Sequence, residues 1–305
     1  ACTCMRCQKI KKEEVNRADM KSKNMNYRFN VEYYKDLKYI YYIGQKNHDE
    51  EKKADEQELK KRDNEIENFE FSSCPAIYKL LKKKTESSWK SFELYTAYPG
   101  VLIGTGNPHE ISMENAIKCG FSFDYVTGLP YIPGSSIKGM LRSYFPKEGS
   151  ADEQEKQAYI TEVLKNTGVT FETESDEKVK TVIANLKKNL FEGRDVFFDA
   201  FPVVDINQKK KLLAKEYITP HKEKFKNPKP INLIKIKPGV KICFMFSLND
   251  FDFDTYHITA DQKECVLKQI ILDMGVGAKT NVGFGIMTEE PLPSNVEVMV
   301  NTNNH

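Results

Sequence analysis

No apolar run in this chain exceeds a few residues, far short of the roughly 20 needed to cross a bilayer, so a membrane-spanning helix is excluded. No basic-then-apolar segment opens the sequence either, and the expectation is residence in the cytoplasm. Histidine is scarce, five in 305 residues, which leaves few candidates for general acid-base chemistry. The seven cysteines are an odd number without a secretion signal, which argues for reduced thiols. Cys2, Cys4 and Cys7 offer three thiolates to a zinc ion, but no nearby Cys or His supplies a fourth ligand, and a disordered or reactive tail is the competing reading. Cys243, inside the apolar run from Ile242 to Phe246, reads as a small buried hydrophobe.

A formal net charge of +2 conceals strong segregation. Between Asp205 and Lys241 lie eleven lysines against three acidic residues, a net +8; between Lys147 and Glu177 lie three lysines against nine acids, a net −6. The basic block suits a polyanion surface, and the acidic block suits solvent or a basic neighbouring subunit. A second dense run, Lys46 to Glu70, has six basic and ten acidic side chains at helical separations, as in a solvated helix or a mobile loop.

Residues 1–88 read as a polar extension, partly helical, in which Tyr33, Tyr34, Tyr39, Tyr41 and Tyr42 cluster without a clean period. They would form short helices packed on the main domain or an arm touching nucleic acid. The main domain is expected over residues 89–290, followed by a tail at 291–305. Its first strand runs from Phe92 to Thr105, with a turn or bulge at Tyr98-Pro99-Gly100. In LPYIPGSSIKGMLRSYF, Leu129 to Phe145, an extended part leads into a helix capped by Ser135 or Ser136. There Ile137, Met140, Leu141 and Tyr144 keep the spacing of a buried stripe, and Lys138 and Arg142 share an exposed face.

Residues 147–190 read as an insertion with helices near Glu153 to Lys165 and Lys178 to Leu190. A strand at Asp195 to Val204, a long basic loop broken by Pro220, Pro228, Pro230 and Pro238, and a strand at Val240 to Leu248 follow. A helix at Ala260 to Met274 and a final strand at about Phe284 to Glu289 close the domain. Strand, helix, strand, strand, helix, strand is the split βαβ order of an α+β, ferredoxin-like domain.

Between the last helix and strand lies GVGAKTNVGFG, with Gly275, Gly277, Gly283 and Gly285 around Lys279, Thr280 and Asn281. One glycine would satisfy a tight connection; four with an internal Lys-Thr-Asn favour a loop whose amides meet phosphate or sugar oxygens while Lys279 supplies charge. It is not an NTPase loop, since no Gly-Lys-Ser/Thr opens a helix. At Gly134, Ser135 and Ser136 a helix N-terminus offers free amides and two hydroxyls, and Lys138 in its first turn would oppose the helix dipole unless an anion binds there. In the basic block, Lys222 and Lys224 beside Tyr217 and Phe225 suit backbone tracking with base stacking, with an acidic protein neighbour as the other use.

The loop GVGAKTNVGFG and the strand-to-helix segment LPYIPGSSIKGMLR resemble the two hallmarks of the RAMP superfamily, the RNA-binding proteins of CRISPR systems. With YPGVLIGTGNPHE, VFFDAFPVVDI and ITPHKEKFKNPKPINLIKI, the chain is most similar to members found in type III-B (Cmr) effector complexes. The resemblance spans about Phe92 to Met287 and leaves out residues 1–88. It implies a non-catalytic subunit near the 3′ end of the guide RNA, capping a filament of backbone subunits. Its partners would be guide and target RNA, backbone and small helical subunits, and another RAMP protein. No ATP, metal or other cofactor is implied. Guide-processing endoribonucleases of the same superfamily raise an enzymatic alternative through His109 or His221, and Asp199 and Asp205 are conceivable metal ligands.

Overall fold

The computed structural model describes residues 22–38, 48–73, 88–105, 113, 116–118, 120–171, 175–205, 207–219 and 230–291. In chain order the regular elements are α1 (Met25–Asn30), α2 (Asp49–Glu67), β1 (Glu70–Ser72), β2 (Trp89–Thr96), α3 (Gly134–Ser143), α4 (Glu153–Asn166) and α5 (Asp176–Glu192). There follow β3 (Val196–Phe197), β4 (Phe201–Pro202), β5 (Lys209–Lys211), β6 (Leu213–Ile218), β7 (Ile231–Ile236), β8 (Lys241–Ser247), β9 (Phe251–Phe253), β10 (Tyr256–Ile258), α6 (Ala260–Met274) and β11 (Met287–Thr288).

The central sheet is antiparallel in the order β11-β2-β8-β3, with β4 continuing the β3 edge against β8. Taking β2, β3/β4, β8 and β11 as the four strands of the split βαβ unit, the outer strands are the last and the second, which is the ferredoxin-like arrangement expected from the sequence. The β2–β8 register sets Phe92 opposite Phe244 and Leu94 opposite Ile242, so alternate residues of both strands face the helices. Ile137 and Leu141 of α3 and Val266, Leu267, Ile270 and Ile271 of α6 are buried in that same core. α6 has the bounds read from its apolar spacing, and a capping box of Thr259 and Gln262 fixes its start.

Four expectations change. The described part of the basic stretch from Lys209 to Lys241 is not a loop: β5 pairs with β1, and β6 and β7 form an antiparallel hairpin of six register pairs. Pro230 and Pro238 sit outside the strands, Pro220 and Pro228 lie outside the described residues, and Leu233, Ile234 and Ile236 are buried on pairing, which outweighs the charge of the segment. The first strand stops at Thr96, where the chain turns through Tyr98-Pro99-Gly100, and the last shrinks to two residues because Gly283 and Gly285 hold positive φ. Asp195 to Val204 is two short strands separated at Phe198 to Ala200.

The segments around the sheet are anchored firmly. Met25, Phe29, Tyr33 and Leu37, each four residues apart, are buried in the main core, and Phe29 packs on Phe123. The Tyr33 hydroxyl donates to Asp63 of α2 at 2.8 Å and accepts from the Ile117 amide at 3.1 Å, while the Asn232 amide of β7 donates to the other Asp63 oxygen at 2.8 Å. In α4 and α5, Ile160, Val163, Leu164, Val179, Val182, Ile183, Leu186 and Leu190 join the core, so the polar look of residues 147–190 belongs to their outer faces. Lys263 of α6, fully buried, is matched by Asp195 at 2.7 Å. Among the described residues no helix is long and apolar enough to cross a membrane.

Candidate nucleic-acid interface

The glycine loop is closed by its own backbone. Val276 donates to the Gly285 carbonyl, Gly285 to the Gly100 carbonyl, and Ala278 to the Leu102 carbonyl, at 2.8–2.9 Å. A β-carbon on Gly275 would lie 2.8 Å from the Gly285 oxygen, and one on Gly277 2.4 Å from the Leu102 oxygen. These glycines therefore serve chain-to-chain approach, and the part of the loop offered to a ligand is its tip. There Lys279 adopts the left-handed region at φ 60°, and Thr280 to Val282 form one turn of 3-10 helix. Lys279 and Asn281 are exposed, Thr280 half-buried, and Lys279 has no carboxylate partner among the described residues. A lysine held in αL at a loop tip costs roughly 1 kcal/mol.

Ala278 and Phe284 pack with Leu102, Leu233, Ile218 and Ile231, so the loop rests on the β6–β7 hairpin near its Ile218–Ile231 end. Topology thus joins the glycine loop to the basic hairpin, a neighbourhood the linear sequence did not reveal. Lys222, Lys224, Phe225 and His221 lie outside the described residues, as do His109, Cys2, Cys4 and Cys7.

The strand-to-helix site differs from its reading. α3 begins at Gly134 with Pro133 as N-cap, so neither Ser135 nor Ser136 caps it, and both hydroxyls are exposed. Lys138 is then the fifth helical residue, beyond the first turn where a cation pays most against the dipole. The Gly134 amide already donates to the Asp199 carboxylate at 2.7 Å, so an internal anion occupies part of this helix N-terminus, which is also why Asp199 stands in its strand break. Lys138 lies 5.6 Å from the Phe197 ring, and Arg142 pairs with Glu192 at 2.6 Å, both half-exposed. α3 is attached at the β3 edge of the sheet and the glycine loop leads to the β11 edge, so the structure does not bring these two groups together.

The basic block is partly neutralised within the chain. The acid-rich α2 packs on β6, placing Lys215 near Glu67 and Asn64; Lys211 donates to Asn68, and Lys209 sits 3.9 Å from Glu70. Lys235, buried, pairs with Glu216 and lies over Phe284. Lys237 has no carboxylate partner among the described residues. Neither Asp199 nor Asp205 belongs to a group able to hold a metal ion among those residues.

Comparison with known proteins adds the following. The RAMP superfamily profile matches residues 93–288. The chain is 28% identical over 172 residues to the CRISPR system Cmr subunit Cmr6 of Saccharolobus solfataricus, covering 55% of this chain and 47% of that protein. It is 25% identical over 206 residues to the subunit of the same name in Pyrococcus furiosus, covering 53% and 58%. The chain thus spans about half the length of the curated relatives it matches. Among solved structures it is similar to a chain of the type III-B Cmr-beta complex bound to cognate target RNA, at 24% identity and a TM-score of 0.46 over 86% of this chain and 84% of that one. It is also similar to the crystal structure of Cmr6 from Pyrococcus furiosus, at 22% identity and 0.39 over 67% and 98%.

Proposed function

The chain belongs to the RAMP superfamily, and from that premise we propose that it is a non-catalytic, RNA-binding subunit of a type III-B CRISPR (Cmr) effector complex, equivalent to the sixth subunit. It binds the 3′ region of guide RNA, caps the backbone filament, and sits where target RNA pairs with the guide. Backbone subunits, small helical subunits and another RAMP protein are its protein partners. The names of the two curated relatives support the assignment to such a complex.

The observation that carries RNA contact is the tip of the glycine loop. Backbone closure holds Lys279 outward in αL, exposed and without a carboxylate partner, beside Thr280 and Asn281 and above the basic hairpin. A fixed cation next to amide and hydroxyl donors holds a phosphate without reading its base. Ser135, Ser136 and Lys138 form a second, lesser contact at the other sheet edge, Gly134 having committed its amide to Asp199. Arg142 contributes only where Glu192 releases it.

Purifying the assembled complex through this subunit tests the reading. Mass spectrometry should recover the backbone and small helical subunits, and ultraviolet cross-linking should place guide RNA on this chain. A complex that contains those partners but yields no RNA adduct on this chain would reduce it to a protein scaffold.

A further inference from the structure

The sheet face turned away from the helices carries its own pattern. The β2–β8 register that points Phe92 and Leu94 into the core points Tyr95 the other way, beside Lys241, with Cys243 and Met245 further along β8. Cys243 and Met245 are buried beneath Trp89, Phe198 and Phe201, and the Tyr131 ring lies tilted at 31° against Phe201 with centroids 5.7 Å apart. These aromatic side chains are all partly exposed, so the face is paved with rings that water still reaches.

Beside this paving, the β7–β8 turn and β5 enclose a cavity of about 400 Å³ lined by Tyr95, Asp205, Lys210, Lys211, Lys237 and Lys241, among others. Four lysines face a single carboxylate, that of Asp205, which pairs with Lys210 at 3.8 Å. Lys241 bonds Glu93 at 3.1 Å and lies 5.3 Å from the Tyr95 ring centroid. Lys210 holds only an exposed ion pair with Asp205, Lys211 donates to the neutral Asn68, and Lys237 has no carboxylate partner among the described residues, so the cavity keeps an excess of positive charge. A cavity of this size lies within the range that holds small ligands. A ring at the wall of a cationic cavity, continuing into a row of partly exposed aromatics, is the combination single-stranded nucleic acid uses: phosphate on cations, bases on rings.

We propose that this cavity seats one nucleotide of single-stranded RNA, its phosphate held by Lys210 and Lys237 and its base against Tyr95, with the adjoining strand running toward Phe201 and Tyr131. The proposal rests on the RNA-binding reading above but names a different site, since no residue lines both this cavity and the glycine-loop tip.

The test uses the full chain and a fluorescent oligouridine carrying 4-thiouridine. Photo-cross-linked peptides should include the one containing Tyr95. Lys210→Ala with Lys237→Ala should weaken binding about tenfold and lower the slope of log affinity against log salt by about 0.7 to 1.4. Tyr95→Leu should remove the cross-link, while Tyr95→Phe, which keeps the ring and the fold, should retain it. If RNA binds, depends on Lys279, and cross-links only to glycine-loop peptides while the lysine pair binds like the parent, the cavity proposal falls and the RNA-binding reading stands. If the parent binds no RNA, both fall. If the lysine pair leaves RNA binding intact but abolishes binding of polyglutamate, the site belongs to an acidic protein segment and the proposal is overturned.

Discussion

Val276 and Gly285 clasp the base of the glycine loop: the Val276 amide donates to the Gly285 carbonyl at 2.9 Å, and a β-carbon on Gly285 would stand 2.0 Å from the Val276 carbonyl. Three of the four glycines that look in sequence like a cradle for a ligand, Gly275, Gly277 and Gly285, are thus occupied by the chain itself. Their work is to hold Lys279 still.

Gly285→Ala combines that backbone collision with a φ of +80°, so relief requires the clasp to open. A loss of roughly 3 kcal/mol is expected, read as a lower urea midpoint. Gly239→Ala, at φ +75° but with open space around its β-carbon, should cost only about 1 kcal/mol. Equal costs would contradict the close approach.

Lys263 and Asp195 form an ion pair with virtually no exposed side-chain surface, joining α6 to the start of β3. Lys263→Met leaves the Asp195 carboxylate buried with the Asn249 groups as its remaining donors, and should destabilise by about 3–5 kcal/mol in chemical denaturation. A variant within 1 kcal/mol of the parent would show that the pair is dispensable.

Asp63 is held above the usual carboxylate value of 3.8 by burial, against the opposing hydrogen bonds from Tyr33 and Asn232. The folded chain then binds this proton more tightly than the unfolded chain does. Its contribution to stability is greatest below pH 3.8 and declines as pH rises through the folded value. Nuclear magnetic resonance titration of the Asp63 carboxyl should give a midpoint above 3.8. In denaturation, the stability difference between parent and Asp63→Asn should move in favour of the variant from acid to neutral pH; movement the other way would contradict the burial account.

Much of the fold was legible because its signals are local. The i, i+3, i+4 stripe of Val266, Leu267, Ile270 and Ile271 gave α6 its bounds, and the run from Ile242 to Phe246 marked β8. The β6–β7 hairpin was not legible, since its lysines read as a solvated loop and its order comes from long-range pairing of Leu213 with Ile236 and their neighbours. The grip of α2 on the core was hidden for a similar reason: α2 buries Asp55 and Asp63 alongside Leu59 and Ile66, so it lacks an apolar stripe. In the candidate site, the exposed position of Lys279 within the glycine loop was legible from the loop itself. The start of α3 was not, because its cap is a contact with Asp199, far away in sequence.

The direct test of the account is the salt dependence of guide-RNA binding by Lys279→Ala, with Lys237→Ala as a companion on the same full chain. One lost phosphate contact should weaken binding and reduce the slope of log affinity against log salt by about 0.7. An unchanged affinity and an unchanged slope for Lys279→Ala would contradict the assignment of the glycine-loop tip to RNA.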